Sequence, residues 1–464
     1  MKASGVHLCD GQSVSNLFHR ILLDTKEAFP DLARYANLTA NARDFKKSYA
    51  ELLPQYEAVR LSATDRGLIA QALSDALLSE LVFYRDDESL PLREHLNIKV
   101  EPASLNQISG TKTDAWEFDL TYDGHRFQSL QELADLLVKR HVMNGAAGEA
   151  LTWLHRQVLL TKDFDLQERR VVVFGAGAEM AATKLFLEAG ANVLWLDLVS
   201  PPEDLVAENF KGTLFWPAES LDLLVEPEKV LATILGFAAD DRVDLCLYAY
   251  APGQARELRL SGTMNTIVEA LPQSLVASVT MLVSPTTTSE LGAEDLADIE
   301  NRRRDAPLWE RTLGSTGMMG KPGIAACRYA SVTRTVVNIQ GTSYQAAQYL
   351  GKLMAAESWH TRGYRVSANT APITQTRSLD HPVFDAAFGG ARALQVETFT
   401  PEQSQTVNGL LAIHDWLNPD HSPPGRARVH GGIHTLPYPL DKALRIAAAI
   451  GFARSPSLLK GLFR

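Results

Sequence analysis

The sequence is poor in cysteine and has no long apolar run. Its three cysteines, Cys9, Cys246 and Cys327, lie far apart, and no two of them form a Cys-x-x-Cys pair. This usage excludes a disulfide framework and a zinc ribbon, and it predicts a reducing, cytoplasmic location. Nowhere do about 18 apolar residues follow one another, so we expect no membrane-spanning helix. The first residues also lack the apolar core of an export signal, so we expect no secretion.

Positive charge is outnumbered in this chain. There are 45 Lys and Arg residues against 55 Asp and Glu, a formal net charge of −10 at pH 7. Because contact with phosphates requires a basic surface, this balance argues against a nucleic-acid partner. Hydrophobic residues make up 45% and charged residues 22% of the 464 positions, which is typical of a globular protein. The length predicts about two to four domains.

The first third of the chain is predicted to be mainly helical. Apolar residues recur every three or four positions through SNLFHRILLDTKEAF and ATDRGLIAQALSDALLSELVFY. Alternation then follows from Trp116 to Tyr122, and Asp123-Gly124 is a typical hairpin turn. We therefore predict a domain over residues 1–165, mainly helical with a small β ribbon, and we identify no catalytic residue in it.

The central part of the chain is predicted to be an α/β domain. RRVVVFGAGAEMAATKLFLEAGANVLWLDL has the order strand, glycine turn, helix, strand. Its two strands are almost wholly apolar, as in parallel sheets covered on both faces. Further apolar runs, VDLCLYAY, SLVASVTMLV and YRVSANTAP, are separated by helical segments. This pattern predicts a doubly wound parallel sheet of the Rossmann type over residues 166–418.

The glycine turn points to dinucleotide binding. Gly175 and Gly177 are the first two glycines of a turn whose helix holds a pyrophosphate. Met180 replaces the third glycine, and Glu179 brings a carboxylate to the start of the helix. Both differences weaken the binding of a dinucleotide. Asp197, 22 residues after Gly175, suits a ribose hydroxyl and favours NAD over NADP. A Rossmann-shaped domain that has lost its cofactor remains the alternative.

Several segments follow in an order that carries a family resemblance. SGTMNTIVEAL contains Asn265, a strand ends in VSPTTT with Ser284, and the helix SYQAAQYLGKLMAAESW leads into YRVSANTAPITQT and then VETFTPEQSQTVNGLLAI. From about residue 169 to residue 416 this order resembles the short-chain dehydrogenase/reductase family. Within that family it is most similar to the ketoreductase domain of the fungal-type fatty acid synthase.

The resemblance implies roles for individual residues by position. It makes Ser284 a catalytic serine and Asn265 the structural asparagine of the site. Pro372 and Thr376 would touch the nicotinamide side of the cofactor, and Ala251, after VDLCLYAY, would also contact the cofactor. The alternative for Ser284 is an ordinary Ser-Pro turn at a strand end.

The family's Tyr-x-x-x-Lys pair is missing. Alignment on AAESW puts Gln340 at the tyrosine position and Tyr344 at the lysine position. We predict Tyr344 as a substituted proton donor with Gln340 beside it, and a core aromatic is the alternative for Tyr344. Tyr329 is a second candidate donor. Lys352 lies two helical turns after Tyr344, about 12 Å away, too far to lower its pKa strongly.

Two segments lie outside the family pattern. Residues 286–325 form an insertion that we expect to act as a lid. Residues 419–464 are a Pro/Gly-rich connector followed by a basic amphipathic helix. We expect this helix to dock on its own chain or a neighbour, and peripheral contact with an anionic membrane is the alternative. His421, His430 and His434 lack cysteine or carboxylate companions, so we predict no metal site.

The resemblance implies an NAD- or NADP-dependent oxidoreductase. It would act on a carbonyl or hydroxyl group of an acyl-like substrate, either a small molecule or an acyl chain bound to a carrier. It would assemble as a homo-oligomer or in a complex with a partner protein. Two alternatives remain open. One is a catalytically degenerate scaffold or partner subunit of a fatty acid or polyketide assembly. The other is a non-redox dehydratase, isomerase or cyclase in the same cleft.

Overall fold

The fold consists of helices and strands that alternate along most of the chain. The computed structural model describes residues 3–9, 13–85, 88–164, 166–207, 209–251, 253, 255–316, 319–379, 381–418, 420 and 423–458. The strands are β1 Gly5–Leu8, β2 Leu81–Arg85, β3 Glu88–Pro91, β4 Leu105–Ser109, β5 Leu120–Tyr122, β6 His125–Phe127, β7 Arg170–Phe174, β8 Asn192–Leu196, β9 Thr213–Pro217, β10 Val243–Leu247, β11 Val276–Val283, β12 Ile324–Cys327, β13 Ala330–Thr333 and β14 Val366–Thr370. The helices are α1 Val14–Ala28, α2 Pro30–Tyr35, α3 Ala42–Ser62, α4 Arg66–Ser79, α5 Leu92–His95, α6 Leu130–Lys139, α7 Gly145–Thr161, α8 Thr183–Glu188, α9 Glu203–Ala207, α10 Pro227–Ala238, α11 Arg256–Ala270, α12 Ala293–Arg304, α13 Leu308–Ser315, α14 Gly341–Gln348, α15 Ala355–Thr361, α16 Pro382–Ala391, α17 Pro401–Leu417 and α18 Leu440–Arg454.

A seven-stranded sheet forms the centre of the molecule. Its order is β14-β11-β10-β7-β8-β9-β4, with β4 antiparallel and the other neighbours parallel. The chain runs outward from β7 through β8 and β9 on one side, and through β10, β11 and β14 on the other. The predicted α/β fold with a doubly wound parallel sheet is confirmed. The reversal between β7 and β10 opens a crevice at the carboxyl ends of these strands, where such sheets bind ligands.

The central strands form because their side chains are apolar on both faces. All five residues of β10 are buried, and so are four of the five in β7. Asp244 is the one charged residue in the otherwise apolar strand β10. Its carboxylate accepts hydrogen bonds from Arg169 at 2.7 Å and from Ser278 at 2.6 Å. A buried carboxylate is tolerated here because it is paired.

The N-terminal third shares its core with the sheet. Phe18, Phe45 and Leu73 belong to the same apolar cluster as Val172 and Leu245 of the central strands. Strand β4, from this third, extends the main sheet by pairing with β9. The division of the chain near residue 165 stays a prediction about folding units.

The small β elements differ partly from the prediction. The expected hairpin is present as β5 and β6, with Asp123 at φ 51° and Gly124 at φ 77° in its turn. The predicted helix that ends in LVFY is wrong at its end, because residues 81–85 form strand β2 between β1 and β3. Aromatic and β-branched side chains favour a strand once partner strands are available.

The basic amphipathic helix α18 docks on its own chain. It packs against α16 at close range: a Cβ added to Gly390 would lie 1.9 Å from the carbonyl oxygen of Ala447, and one at Gly451 would lie 1.8 Å from that of Ala386. Residues 459–464, which belong to the predicted tail, lie outside the described residues. In the described ranges, no helix combines the length and hydropathy needed to cross a bilayer.

Candidate active site

A cavity of about 800 Å³ lies at the carboxyl edge of the sheet. Its wall includes residues one to three positions past the ends of four strands: Gly177 after β7, Tyr248 after β10, Ser284 after β11 and Pro372 after β14. Because the strands are parallel, their carboxyl ends meet at one edge, and the residues after them converge.

Another part of the cavity wall is apolar. Helices α16 and α18 supply Phe384, Phe388, Ala443 and Leu444, among others. Of the predicted lid over residues 286–325, the described part contributes Thr286 to the wall. Helices α16 and α18 also line the cavity, and a lid role for residues 286–325 stays a prediction.

A chain of hydroxyl and amide groups joins three of the predicted catalytic residues. Ser284 Oγ lies 2.9 Å from Thr286 Oγ1, and Thr286 Oγ1 donates to Gln340 Oε1 at 2.7 Å. The Tyr344 hydroxyl shares hydrogen bonds with Ser284 and Thr286. The structure thus brings Ser284, Gln340 and Tyr344 together in the cavity, and their catalytic roles stay predictions.

Tyr344 is a neutral phenol at ordinary pH. Burial and the negative charge of Glu257 raise the pKa of Tyr344, while its hydrogen bonds with Ser284 and Thr286 lower it. The phenol is therefore a hydrogen-bond donor and not a phenolate base.

Glu257 and Lys352 are two buried ionisable residues that sequence reasoning did not select. Glu257, on α11, lines the cavity and accepts a hydrogen bond from Gln348 Nε2 at 2.7 Å. Burial raises the pKa of Glu257 to about 7, against the opposing effects of Lys352 and Gln348. Burial lowers the pKa of Lys352, and Glu257 raises it. No motif in the sequence marks Glu257, because its special property comes from burial.

Gln348 links Ser284 to Glu257. It lies one helical turn after Tyr344, and its Oε1 accepts from the backbone N–H of Ser284 at 3.2 Å while its Nε2 holds Glu257. Tyr344, Gln348 and Lys352 follow one another at four-residue spacing and all line the cavity.

Asn265 lies behind the cavity and not in its wall. Its Nδ2 donates to the carbonyl oxygen of Gly351 at 2.8 Å, and its Oδ1 accepts from Trp359 at 2.8 Å. Gly351 belongs to a π-helical turn, Tyr349–Met354, that joins α14 to α15 and carries Lys352. Asn265 is therefore a positioning residue for this turn.

The glycine turn is filled by the chain's own groups. Gly177 N–H donates to Asp197 Oδ2 at 2.9 Å, and a Cβ at Gly177 would lie 3.0 Å from the Trp195 ring. Gly175, at φ 72°, allows close approach to Ala249 of the neighbouring strand end, where a Cβ would lie 2.4 Å from Cα. Gly175 thus serves packing within the chain, and Gly177 binds Asp197 while it also lines the cavity.

The turn also differs from a dinucleotide-binding turn in the groups that would meet an anion. Glu179 accepts hydrogen bonds from the backbone N–H of Arg377 at 3.1 Å and from its guanidinium at 3.0 Å. Helix α8 starts only at Thr183 and has six residues. A pyrophosphate at this turn would meet a carboxylate and a short, late helix, so the residues present do not fit the dinucleotide that the sequence predicts.

The remaining predicted cofactor residues lie in different places. Pro372 and Thr376 line the cavity. Ala251 packs against the core, and its neighbours Tyr250 and Gly253 line the wall instead. The second candidate donor, Tyr329, is 93% exposed and is not part of the cavity wall.

His430 and His434 form a buried stack behind Ser284. Their ring centres are 4.8 Å apart, and His434 Nε2 lies 3.0 Å from the carbonyl oxygen of Pro285. Burial lowers the pKa of both, that of His434 to about 3, so the rings are neutral. Within the part of the chain that the structure describes, no group of three or more His, Cys, Asp or Glu side chains is arranged to hold a metal. His421 lies outside that part.

A second, smaller cavity of about 230 Å³ lies beside β14. Its polar groups satisfy one another: Asp415 accepts from Ser367 at 2.6 Å and from Asn369 at 2.9 Å, and His414 Nδ1 lies 2.9 Å from Asp415. The larger cavity, with perturbed ionisable groups on its wall, is the better candidate site.

No family model matches the chain, and no curated protein matches it. Among solved structures, the chain is similar to the epimerase Mth375 from the thermophilic pseudomurein-containing methanogen Methanothermobacter thermautotrophicus. The two are 14% identical, and the match covers 64% of this chain and 96% of that one with a TM-score of 0.29. At this TM-score the likeness carries no argument.

Proposed function

We propose that the protein is an enzyme that transfers protons at a carbonyl or hydroxyl carbon of a largely apolar, acyl-like substrate. The observation that carries this proposal is the 800 Å³ cavity with Glu257, Ser284 and Tyr344 on one wall. A carboxyl group with a pKa of about 7 exists in both protonation states near neutral pH, as general acid–base catalysis requires. The apolar surface of α16 and α18 suits an alkyl or acyl tail.

Each polar residue has a defined task in this proposal. The hydroxyl groups of Ser284 and Tyr344 donate hydrogen bonds to the substrate oxygen and stabilise negative charge that develops there. The Glu257 carboxylate removes a proton from the carbon next to the carbonyl, and the resulting carboxylic acid returns it at another position. Gln348 fixes the Glu257 carboxylate by its hydrogen bond of 2.7 Å. Isomerisation or dehydration follows from such a transfer without a hydride donor.

An NAD- or NADP-dependent oxidoreductase of short-chain type is the second candidate. It is favoured by the hydrogen bond between Tyr344 and Ser284 and by a cavity that extends from Gly177 to Pro372. Against it stands the Glu179 carboxylate in the glycine turn, where the pyrophosphate would bind. The degenerate scaffold is a further alternative, in which none of these side chains matters for turnover.

Proton exchange on a simple ketone tests the first candidate. In D₂O, we expect the protein to accelerate loss of the α C–H signals of nonan-2-one in NMR spectra. Glu257→Gln removes the base and lowers this rate by about 100-fold or more, the usual contribution of a general base. The exposed Glu219→Gln is the matched control and keeps the rate. No acceleration over buffer, or an unchanged rate in Glu257→Gln, would contradict the proposal.

Calorimetric titration with NADH and NADPH separates the two candidates. We expect no heat of binding, because the carboxylate of Glu179 repels a pyrophosphate. Saturable binding of either dinucleotide would favour the oxidoreductase.

A further inference from the structure

Lys352 has the surroundings of a reactive amine. It lies on the cavity wall and is only 9% exposed, within the π-helical turn Tyr349–Met354. Such turns interrupt regular helices and occur frequently at functional sites. Asn265 stabilises this one through the carbonyl oxygen of Gly351, so the turn is held by a specific contact.

A buried lysine with a structural role normally has a carboxylate in hydrogen-bond contact, and Lys352 has none among the described residues. Among the described residues, none of the hydrogen bonds and ion pairs involves its ammonium group, and its interaction with Glu257 is electrostatic. The Glu257 carboxylate is instead bound by Gln348 at 2.7 Å. Burial makes an ammonium lose its proton more easily and lowers the pKa of Lys352, although the Glu257 carboxylate opposes this shift.

Lys46 provides an internal comparison. Lys46 lines the same cavity, but it is exposed to solvent. A desolvated lysine loses its proton more easily than a hydrated one, and the neutral amine is the form that attacks a carbonyl. The two lysines therefore differ in burial, which makes Lys46 the matched control for Lys352.

We propose that Lys352 forms an imine with the carbonyl carbon of a ketone or aldehyde substrate that carries an apolar tail. The inference rests on the proposed function, since it names the intermediate through which Glu257 would act. Gln348 binds both the Glu257 carboxylate and the backbone N–H of Ser284. The Ser284 and Tyr344 side chains line the same cavity as Lys352. A second oxygen on the substrate would bind to these two hydroxyl groups. The substrate class is therefore a carbonyl compound with a second oxygen nearby, such as a β-diketone or β-hydroxy ketone.

The step balances without an added oxidant or reductant. The neutral amine of Lys352 forms a C–N bond to the carbonyl carbon, and the C=O π electrons move to oxygen. The nitrogen, which is positively charged after this addition, gives one of its protons to that oxygen and regains its lone pair. The protonated Glu257 then gives a proton to this hydroxyl group, and the C–O bond breaks to release water. The nitrogen lone pair forms the C=N bond of a protonated imine. Glu257, now a carboxylate, removes the neighbouring α proton.

The β-diketone nonane-2,4-dione tests this inference directly. An amine condenses with it, with loss of one water, to a conjugated enaminone that absorbs in the near ultraviolet. We expect the wild-type protein to develop this absorbance and peptide mass mapping to place the adduct on Lys352. Lys352→Met and Lys352→Arg both lose the adduct, and Lys46→Met retains it. Glu257→Gln slows its formation by about tenfold or more, because the proton donor is lost.

The outcomes distinguish this inference from the proposed function. An adduct on Lys46 or on the terminal amine, or equal absorbance in Lys352→Arg, would overturn the imine. Lys352→Arg keeps a cation of similar length, and thermal unfolding of this variant shows whether the fold survives. If the ketone exchange requires Glu257 while no enaminone forms on Lys352, the imine fails and the proposed function stands.

Discussion

Burial changes the chemistry of individual side chains in the cavity. Glu257 is 6% exposed, and its pKa rises to about 7 from an ordinary value of 4.5. In the unfolded chain the same carboxyl group is hydrated and loses its proton at the ordinary value. The difference between the two states makes the stability of the protein depend on pH.

Glu257 should destabilise the folded protein as the pH rises. Between pH 4.5 and about 7 the folded state holds a proton that the unfolded state has released, so the stabilisation present below pH 4.5 is lost across this window. The loss amounts to about 3 kcal/mol at 1.36 kcal/mol per pKa unit. Denaturant unfolding of wild type and Glu257→Gln at pH 4.5 and pH 8 measures it. The wild type should lose about 3 kcal/mol more than the variant, and parallel behaviour of the two would contradict the prediction.

At the scale of elements, the pair α16 and α18 decides the shape of the apolar wall. The two helices approach closely because Gly390 and Gly451 have no side chain. Small residues at such a crossing let backbones come into contact, and any added atom must push the helices apart.

Neighbouring glycines on α16 provide a matched test of this contact. Gly390→Ala places a Cβ 1.9 Å from the backbone of Ala447, so we expect a loss of about 1–3 kcal/mol in unfolding free energy. Gly389→Ala meets nothing closer than 4.0 Å and should be neutral or stabilising by up to about 1 kcal/mol, because alanine favours helices. Thermal or denaturant unfolding of both variants measures the difference. Equal stability would show that the crossing is loose.

Regular elements were predictable where local pattern determines them. The apolar strands β7 and β8, the glycine turn and the Asp123-Gly124 hairpin follow from pattern and turn chemistry. Strand β2 was assigned to a helix, and β4, with the half-polar sequence LNQIS, was not predicted. Both depend on pairing with distant strands, which a local pattern does not contain.

The site was predictable only in part for a similar reason. Ser284 and Tyr344 were selected through the family resemblance, and they do meet in the cavity. Glu257 and Lys352 were not, since their properties come from desolvation by residues far away in sequence. The fit of Glu179 to Arg377 across the turn likewise depends on two segments 198 residues apart.

At the scale of the whole molecule, a buried ionic network joins the N-terminal third to the α/β part. The Arg60 guanidinium, on α3, donates to Glu57 and to Glu357 of α15, at 2.7 Å each. Tyr349 of the π-helical turn also donates to Glu57 at 2.6 Å. Because these groups are buried, each depends on the others for its charge to be tolerated.

Removal of Arg60 should destabilise the whole protein. Arg60→Met leaves the buried Glu57 carboxylate without its counter-charge and Glu357 with Arg66 alone, which costs about 3–5 kcal/mol. The exposed Arg304→Met should change the unfolding free energy by less than about 1 kcal/mol. Calorimetry should show one unfolding transition in the wild type, shifted to lower temperature in Arg60→Met. Two transitions, of which only one shifts, would show that the two parts unfold independently.

The position of α18 in the chain has a consequence for biosynthesis. Ribosomes release a polypeptide from its N-terminus, so β7, β10, β11 and β14 emerge before residues 440–454 do. Until α18 has been translated, the apolar side of the cavity lacks one wall and faces the solvent. The nascent chain therefore carries an exposed hydrophobic surface until residues 440–454 have been translated, and it is during this interval that a chaperone would be needed.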